Sequence, residues 1–147
     1  MKYLFFHFLL LGAALSGLIW QPKIDPNSPK IGLDFYRNPV AKVSEFLGKR
    51  VTVFSNIREV KVYDGMRMIV MGRWGKPQFP QKFSSDLIIL IRSKDVSKFK
   101  NIKDAELLNS FATITGKVIR YHKKIAVQLS NINDLKYDSY KNPVFVR

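Results

Sequence analysis

The sequence has no cysteine among its 147 residues and only two histidines. A chain without thiols has no disulfide framework, no thiolate nucleophile and no cysteine that could hold a metal or a lipid. Its stability must therefore come from core packing alone. A chain of this length sustains one hydrophobic core, so we expect a single small domain.

The sequence also lacks the side-chain patterns that catalysis requires. His122 is the only histidine beyond the apolar N-terminal segment, which contains His7, and no His-Glu-x-x-His or Gly-x-Ser-x-Gly motif occurs. The carboxylates of Glu59 and Asp64 are too sparse for a metal-assisted nuclease, and Asp64 is explained by a turn. We therefore predict that the protein is not an enzyme and has no catalytic residue, no metal ligand and no cofactor.

Acidic residues are scarce relative to basic ones. The chain has 25 lysines and arginines against 11 aspartates and glutamates, which gives a formal net charge of +14. Such a protein attracts polyanions, including nucleic acid, anionic lipid head groups, the phosphates of teichoic acid or lipopolysaccharide, and acidic proteins. Charge alone does not choose among these partners, and a basic surface that only maintains solubility is the alternative.

The first 20 residues have the order of a secretory signal peptide. Lys2 precedes an apolar run that ends at Trp20 and contains no carboxylate. Small residues at Ala14 and Ser16 favour cleavage before Gly17. The run is also close to the ~20 residues that span a bilayer, so residues 3–20 form a membrane anchor if they are not removed. Both alternatives predict an exported protein, periplasmic or extracellular, that contacts the membrane only through an uncleaved N-terminal segment.

A proline-rich segment follows the signal. Four prolines between residues 21 and 39 exclude a regular helix and predict an extended linker, whose aromatic end at 33–36 is placed to dock on the domain. Apolar residues three and four apart over 40–47 then predict a short amphipathic helix. The domain is predicted to cover residues 40–137, with a C-terminal tail at 138–147.

Strand patterns begin after this helix. Apolar and polar residues alternate, and the alternation changes face between Ser55 and Glu59, which predicts a bulged strand. Asp64 and Gly65 predict a two-residue hairpin turn of the primed type, leading into a strand at 66–71. These signals predict two antiparallel strands.

The second half of the domain contains another strand, a helical segment and a hairpin. Five consecutive aliphatic residues at 87–91 predict a strand buried on both faces. Three segments follow, namely interrupted helical turns at 95–108 and β-rich strands at 111–121 and 125–129. The order of elements is therefore β-β-β-α-β-β.

This order is that of the OB-fold, a partly open Greek-key barrel. Two Gly-Lys-x-[Val/Ile] strand entries, at 48–51 and 116–119, and the loop Gly75-Lys76-Pro77 resemble small exported bacterial OB-fold domains of the nucleic-acid-binding type. The resemblance covers residues 40–137. It implies a mainly β protein, with a five-stranded Greek-key barrel and a capping helix between strands 3 and 4. The sequence departs from that pattern at His122-Lys123-Lys124, where such domains often place a glycine.

OB-folds bind oligonucleotides or oligosaccharides across strands 2 and 3, between the first and last hairpins. Basic and aromatic side chains alternate in the corresponding segments here, as single strands require, because cations follow phosphates and rings stack on bases. The predicted ligand-binding residues are Tyr63, Arg67, Arg73, Trp74, Lys76, Lys82, Arg120, Tyr121, His122, Lys123 and Lys124. For Trp74 and Phe83, a place in the core is the alternative.

A second basic cluster belongs to the helical segment. Its members are Arg92, Lys94, Lys98, Lys100 and Lys103. It is either a solvated face or a set of phosphate contacts that read no sequence.

The sequence as a whole predicts an exported, non-catalytic binding module that engages single-stranded nucleic acid or another polyanion. The alternative is a cell-envelope interaction protein that binds a protein partner or an anionic glycan through the same barrel. Export removes a cytosolic genome or transcript as the ligand, so any nucleic acid bound would be extracytoplasmic.

Overall fold

A computed structural model describes residues 26–72, 86–108 and 110–138 of the chain. The predicted signal or anchor at 1–20 lies outside the described residues, as does nearly all of the predicted tail at 138–147. Among the residues that are described, no helix has both the length and the apolar character needed to cross a bilayer.

The described residues form a mainly β domain. Its strands are β1 (Lys30–Gly32), β2 (Arg50–Tyr63), β3 (Met66–Gly72), β4 (Leu87–Ile91), β5 (Phe111–Tyr121), β6 (Lys124–Gln128) and β7 (Leu135–Asp138). Its α-helices are α1 (Pro39–Ser44), α2 (Ser93–Val96) and α3 (Asp104–Leu107), and 3₁₀ turns occur at Leu33–Phe35, Ser97–Phe99 and Ile132–Asp134.

Five of the strands close into a ring. Going round the ring, β2 pairs with β3, β3 with β4, β4 with β6, β6 with β5, and β5 again with β2. Strand β2 takes part in two of these pairings, because its first half pairs with β5 and its second half with β3. A register shift between Ile57 and Glu59 lets the strand bend from one partner to the other, which confirms the predicted bulge.

Two short strands extend this ring. Strand β1 pairs in parallel with β2, where Ile31 lies beside Val53, and β7 pairs with β5, where Leu135 faces Ile114. The sequence pattern had placed β1 in a linker, yet Ile31 and Leu33 are each only 2% exposed and pack in the core. The prolines exclude a helix here, but they do not exclude a short strand that pairs along one edge.

The helical segment between β4 and β5 covers one end of the barrel. It consists of α2, a 3₁₀ turn and α3, which confirms the predicted interrupted capping helix. Phe99 and Leu107 are fully buried and belong to the same core as Ile69, Ile89 and Val118 of the barrel strands. The core is almost entirely aliphatic.

Candidate functional site

The outer surface of β3, β4, β6 and β5 has an apolar floor. Side chains alternate between the two faces of a strand, so residues next to the core positions point outward. The pairing register aligns these outward residues in two adjacent rows across the strands. The apolar floor consists of Met68, Val70, Ile88, Leu90, Ala126 and Ile119. Leu90 is only 1% exposed although it lies outside the main core, so β4 is buried on both faces, as predicted.

One end of the floor is bordered by the hairpin between β5 and β6. Tyr121 pairs with Lys124, and His122 and Lys123 form the two-residue turn between them. The hairpin carries the exposed side chains of Arg120, His122, Lys123 and Lys124. Among the described residues, no carboxylate forms an ion pair with these cations. The hairpin therefore presents a local excess of positive charge.

The opposite end of the floor is bordered by the hairpin between β2 and β3. Asp64 and Gly65 both have positive φ, at 50° and 68°, which confirms the primed turn that the sequence predicted. Tyr63 beside this turn is 64% exposed. Ser93 Oγ donates a hydrogen bond to the Asp64 carbonyl at 3.4 Å, so the start of α2 adjoins the hairpin. Exposed Arg92 precedes Ser93 and brings a cation to this end as well.

The two hairpins lie at opposite ends of the β3–β4 pair. Arg67 pairs with Ile91, at the end of β4 that leads to Arg92. Ala126 lies beside Ile88, so Lys124, two residues earlier, lies at the start of β4. Strand β3 spans about 20 Å at the rise of an extended chain. The floor therefore has the length of several nucleotides of an extended strand. Its accessible side chains are the half-buried Met68, Val70, Ile88 and Ile119, because Leu90 and Ala126 are buried.

Arg67 does not belong to this surface, although the sequence pattern placed it there. Its side chain points into the barrel and is buried, with 7% of the residue exposed. The guanidinium donates hydrogen bonds to the carbonyls of Phe99 and Ile102, at 3.3 and 2.9 Å, and forms an ion pair with Asp104. Arg67 thus connects β3 to the helical segment, and its donors are engaged inside the protein.

Four predicted site residues lie outside the described part of the chain, namely Arg73, Trp74, Lys76 and Lys82. Phe83 lies outside the described residues as well, so the alternative of a place in the core for Trp74 and Phe83 stays a prediction. The described residues on either side, Gly72 and Asp86, lie at the same end of β4 as the β5–β6 hairpin. Asp86 forms an ion pair with Arg58 at 2.7 Å.

The second basic cluster is divided in the structure. Lys98 forms an ion pair with Asp95 and also donates a hydrogen bond to the carbonyl of Ser130. It therefore connects the helical segment to the chain that follows β6. The other members are exposed and make no ion pair among the described residues; they are Arg92, Lys94, Lys100 and Lys103.

Sequence reasoning missed a row of three aromatic rings on another part of the outer surface. The ring centroids of Phe35 and Phe54 are 6.3 Å apart, and those of Phe54 and Phe111 are also 6.3 Å apart. Phe35 is 81% exposed. The strand pattern places Phe54 and Phe111 on outward positions, but only the pairing of β2 with β5 brings these distant residues together. We call these three residues the aromatic row.

The β5–β6 turn is strained, because neither of its residues is glycine. His122 and Lys123 have φ of 43° and 64°, a left-handed conformation that costs an L-residue roughly 1–2 kcal/mol. We expect Lys123→Gly to raise the free energy of unfolding by about 0.5–1 kcal/mol, since glycine relieves the strain but loses more chain entropy on folding. Urea denaturation measures the change. Lys123→Ala, which keeps the strain, is the control, and equal stability of the two variants would contradict this account.

The described residues offer no ready metal centre, because no three histidine, aspartate or glutamate side chains among them come together. The chemistry that the surface does offer is cationic and aromatic at its two borders and apolar between them. Such a surface can hold a ligand that has both anionic and planar apolar parts.

No protein-family model matches the sequence, and no curated protein matches it. Several solved structures are similar. One is a chain from Leishmania major described as an aspartyl-tRNA synthetase, with 12% identity and a TM-score of 0.50, over 88% of this chain and 25% of that one. Another is a chain of the Stn1-Ten1 complex of S. pombe, with 10% identity and a TM-score of 0.42, over 64% of this chain and 60% of that one.

A third similar structure is a protein of Klebsiella pneumoniae described as a nucleic acid-binding lipoprotein. It shares 20% identity and a TM-score of 0.41, over 69% of this chain and 79% of that one. The present chain therefore spans a quarter of the synthetase chain and less than two thirds of the Stn1-Ten1 chain. At these identities the comparisons concern the fold. The closed five-stranded ring and its capping helical segment, with the similarity to the synthetase chain at a TM-score of 0.50, identify this chain as an OB-fold domain to which β1 and β7 are added.

Proposed function

We propose that this chain is an exported, non-catalytic module that binds single-stranded nucleic acid across the apolar floor. The observation that carries the proposal is the placement, at both ends of the floor, of cations that form no ion pair with another described residue. Lys123 and Lys124 border one end, and Arg92 borders the other, whereas Arg120 lies on the core-facing side of β5 with Val118. Phosphates would follow these cations while bases contact the floor between them.

The apolar floor favours a single strand over a duplex. In a duplex the bases are stacked and paired, so mainly phosphates and groove edges are available to a protein. An unpaired strand exposes the faces of its bases, which can bury against apolar side chains or stack on rings. Tyr63 and Tyr121 lie at opposite ends of the floor, each beside a cationic segment. Tyr63, which is 64% exposed, is the ring best placed for stacking, whereas Tyr121 is half-buried and its hydroxyl lies inside the protein.

The proposal of export rests on the order of the first 20 residues, a lysine followed by an apolar run and small residues. The proposal that the module is non-catalytic rests on the missing motifs and on the scarcity of histidine. If the signal is cleaved, mass spectrometry of the protein recovered from its native host will give an N-terminus at Gly17. If it is retained, the intact chain will fractionate with membranes.

The binding proposal is tested with the full-length chain against single-stranded DNA, duplex DNA and heparin over a series of salt concentrations. We expect the single strand to bind most tightly, with an affinity that falls steeply as salt rises. Lys123→Ala should lower the log–log salt slope by about 0.7, the value for one lost phosphate contact with a single strand. Fluorescence anisotropy of labelled oligonucleotides gives both quantities.

Lys42→Ala is the matched control, because it removes one positive charge from a lysine that is already paired with Glu45 at 2.7 Å. It should leave the slope unchanged. Equal affinity for all three polyanions would show a general charge effect and would contradict the proposed face. Absence of binding to any oligonucleotide at low salt would favour a protein partner in the cell envelope.

A further inference from the structure

The aromatic row is held in a fixed arrangement, although Phe35 is exposed and Phe54 and Phe111 are only half-buried. Gly32 lies against two of its rings, and a Cβ at this position would come within 2.6 Å of the Phe54 ring and would also meet Phe35. Ser55 Oγ donates a hydrogen bond to Asp34 at 3.3 Å, which ties the 3₁₀ turn carrying Phe35 to β2. The backbone therefore makes room for these rings on the outer surface.

Two exposed lysines border the aromatic row. The strand register forms a continuous line from Gly32 through Phe54 and Thr113 to Lys136. Lys30, two residues before Gly32, lies on the same β1 edge. Neither lysine forms an ion pair within the described part of the chain. The rings thus lie between two free positive charges on opposite sides.

An open depression of ≈ 530 Å³ adjoins the end of the row at Phe111. It is lined by Phe111, Thr113, Leu135, Lys136, Tyr137 and Asp138. The Tyr137 hydroxyl already donates to Glu106 at 3.1 Å, and burial together with this bond raises the pKa of Tyr137. The groups left for a ligand are therefore the Phe111 ring, the Thr113 hydroxyl, the Lys136 ammonium and the Asp138 carboxylate.

We propose that the aromatic row is a second contact surface for single-stranded nucleic acid, on which unpaired bases stack while Lys30 and Lys136 contact phosphates. The chemistry fits a nucleotide, because planar faces and cations alternate along one line. The Asp138 carboxylate disfavours a phosphate beside Phe111, but it can accept a hydrogen bond from the amino group of a base. This inference rests on the proposed function and extends the path of the strand beyond the apolar floor.

The experiment compares full-length variants binding to single-stranded DNA of about 16 nucleotides, the upper site size of one OB-fold. Phe35→Ala should lower the affinity by about 5- to 150-fold, the effect of losing one stacked base. Phe35→Tyr keeps a ring and should retain wild-type affinity. Leu47→Ala is the control, because Leu47 is also an exposed apolar side chain (46%) but is not in the row.

Folding is checked by the thermal midpoint, which Phe35→Ala should leave nearly unchanged because the ring is largely in solvent. A loss confined to single strands, with binding retained by Phe35→Tyr, supports the inference. Wild-type affinity of Phe35→Ala overturns it, and a proportional loss for duplex DNA and heparin overturns it as well. If either of these two results is obtained while Lys123→Ala still lowers the salt slope, the proposed function stands without the second surface. If the wild-type chain binds no oligonucleotide, both the proposed function and this inference are wrong.

Discussion

Replacing Gly116 by valine is expected to lower the free energy of unfolding by about 3 kcal/mol or more, and replacing it by alanine by about 1–3 kcal/mol. Gly116 lies in β5, where this strand changes from pairing with β2 to pairing with β6. A Cβ here would meet the backbone carbonyl oxygen of Gln128 and would come within 2.6 Å of Val127 Cγ1. A backbone carbonyl cannot rotate away as a side chain can. The pairing of β5 with β6 would therefore have to open locally.

Gly48 supplies the matched comparison, because it begins the other Gly-Lys-x-[Val/Ile] entry of the sequence. No atom lies within 4 Å of a Cβ built on Gly48, but its φ is +82°. Gly48→Ala therefore costs only the strain of a left-handed residue, about 1–2 kcal/mol. Urea denaturation of Gly116→Val and Gly48→Ala measures which variant loses more free energy of unfolding. If Gly48→Ala were the more destabilised, the steric account of Gly116 would be wrong.

Features that depend on neighbouring residues were predictable from the sequence. The Asp64-Gly65 turn, the bulge before Glu59 and the doubly buried strand β4 each follow from a short pattern of residue types. The order of these elements then indicated the barrel, because few topologies accommodate it. Local patterns therefore determined most of the fold.

Features that depend on distant partners were not predictable. Arg67 alternates with apolar residues, but no local pattern shows that carbonyls more than 30 residues away will accept its hydrogen bonds. Strand β1 is only three residues long, and its pairing with β2 is visible only in the folded chain. The aromatic row likewise depends on the alignment of β2 with β5. The predicted binding surface therefore differs from the structure more than the predicted fold does.

The use of the few acidic residues explains why the proposed binding surface is so basic. Six carboxylates in the described part of the chain form ion pairs, and several of these pairs join separate elements of the fold. Arg50 with Asp134 connects β2 to the turn before β7, and Arg67 with Asp104 connects β3 to α3. Carboxylates occupied in this way do not neutralise the hairpin cations. A small acidic content thus stabilises the fold and leaves Lys123 and Lys124 without an ion pair to any described carboxylate.

Arg67→Ala is expected to lower the free energy of unfolding by about 3 kcal/mol, and yet to leave the salt slope of oligonucleotide binding unchanged. The variant removes the donor to the Phe99 and Ile102 carbonyls and opens a gap beneath the helical segment. Breaking a buried ion pair by removing one partner typically costs about 3–5 kcal/mol. The lower end applies here, because the Asp104 side chain is 51% exposed and regains water.

Two further variants separate the parts of this effect. Arg67→Lys keeps the charge but loses the forked geometry that reaches several acceptors at once, so it should recover only part of the stability. Asp104→Asn keeps a hydrogen-bond acceptor but leaves the buried Arg67 guanidinium without its counter-charge, so it should cost about 1–3 kcal/mol. Stability is measured by urea denaturation, and the salt slope is measured below the unfolding transition. A wild-type stability for Arg67→Ala together with a lower slope would return Arg67 to the binding surface, because that combination is the behaviour of a phosphate contact and not of a buried structural arginine.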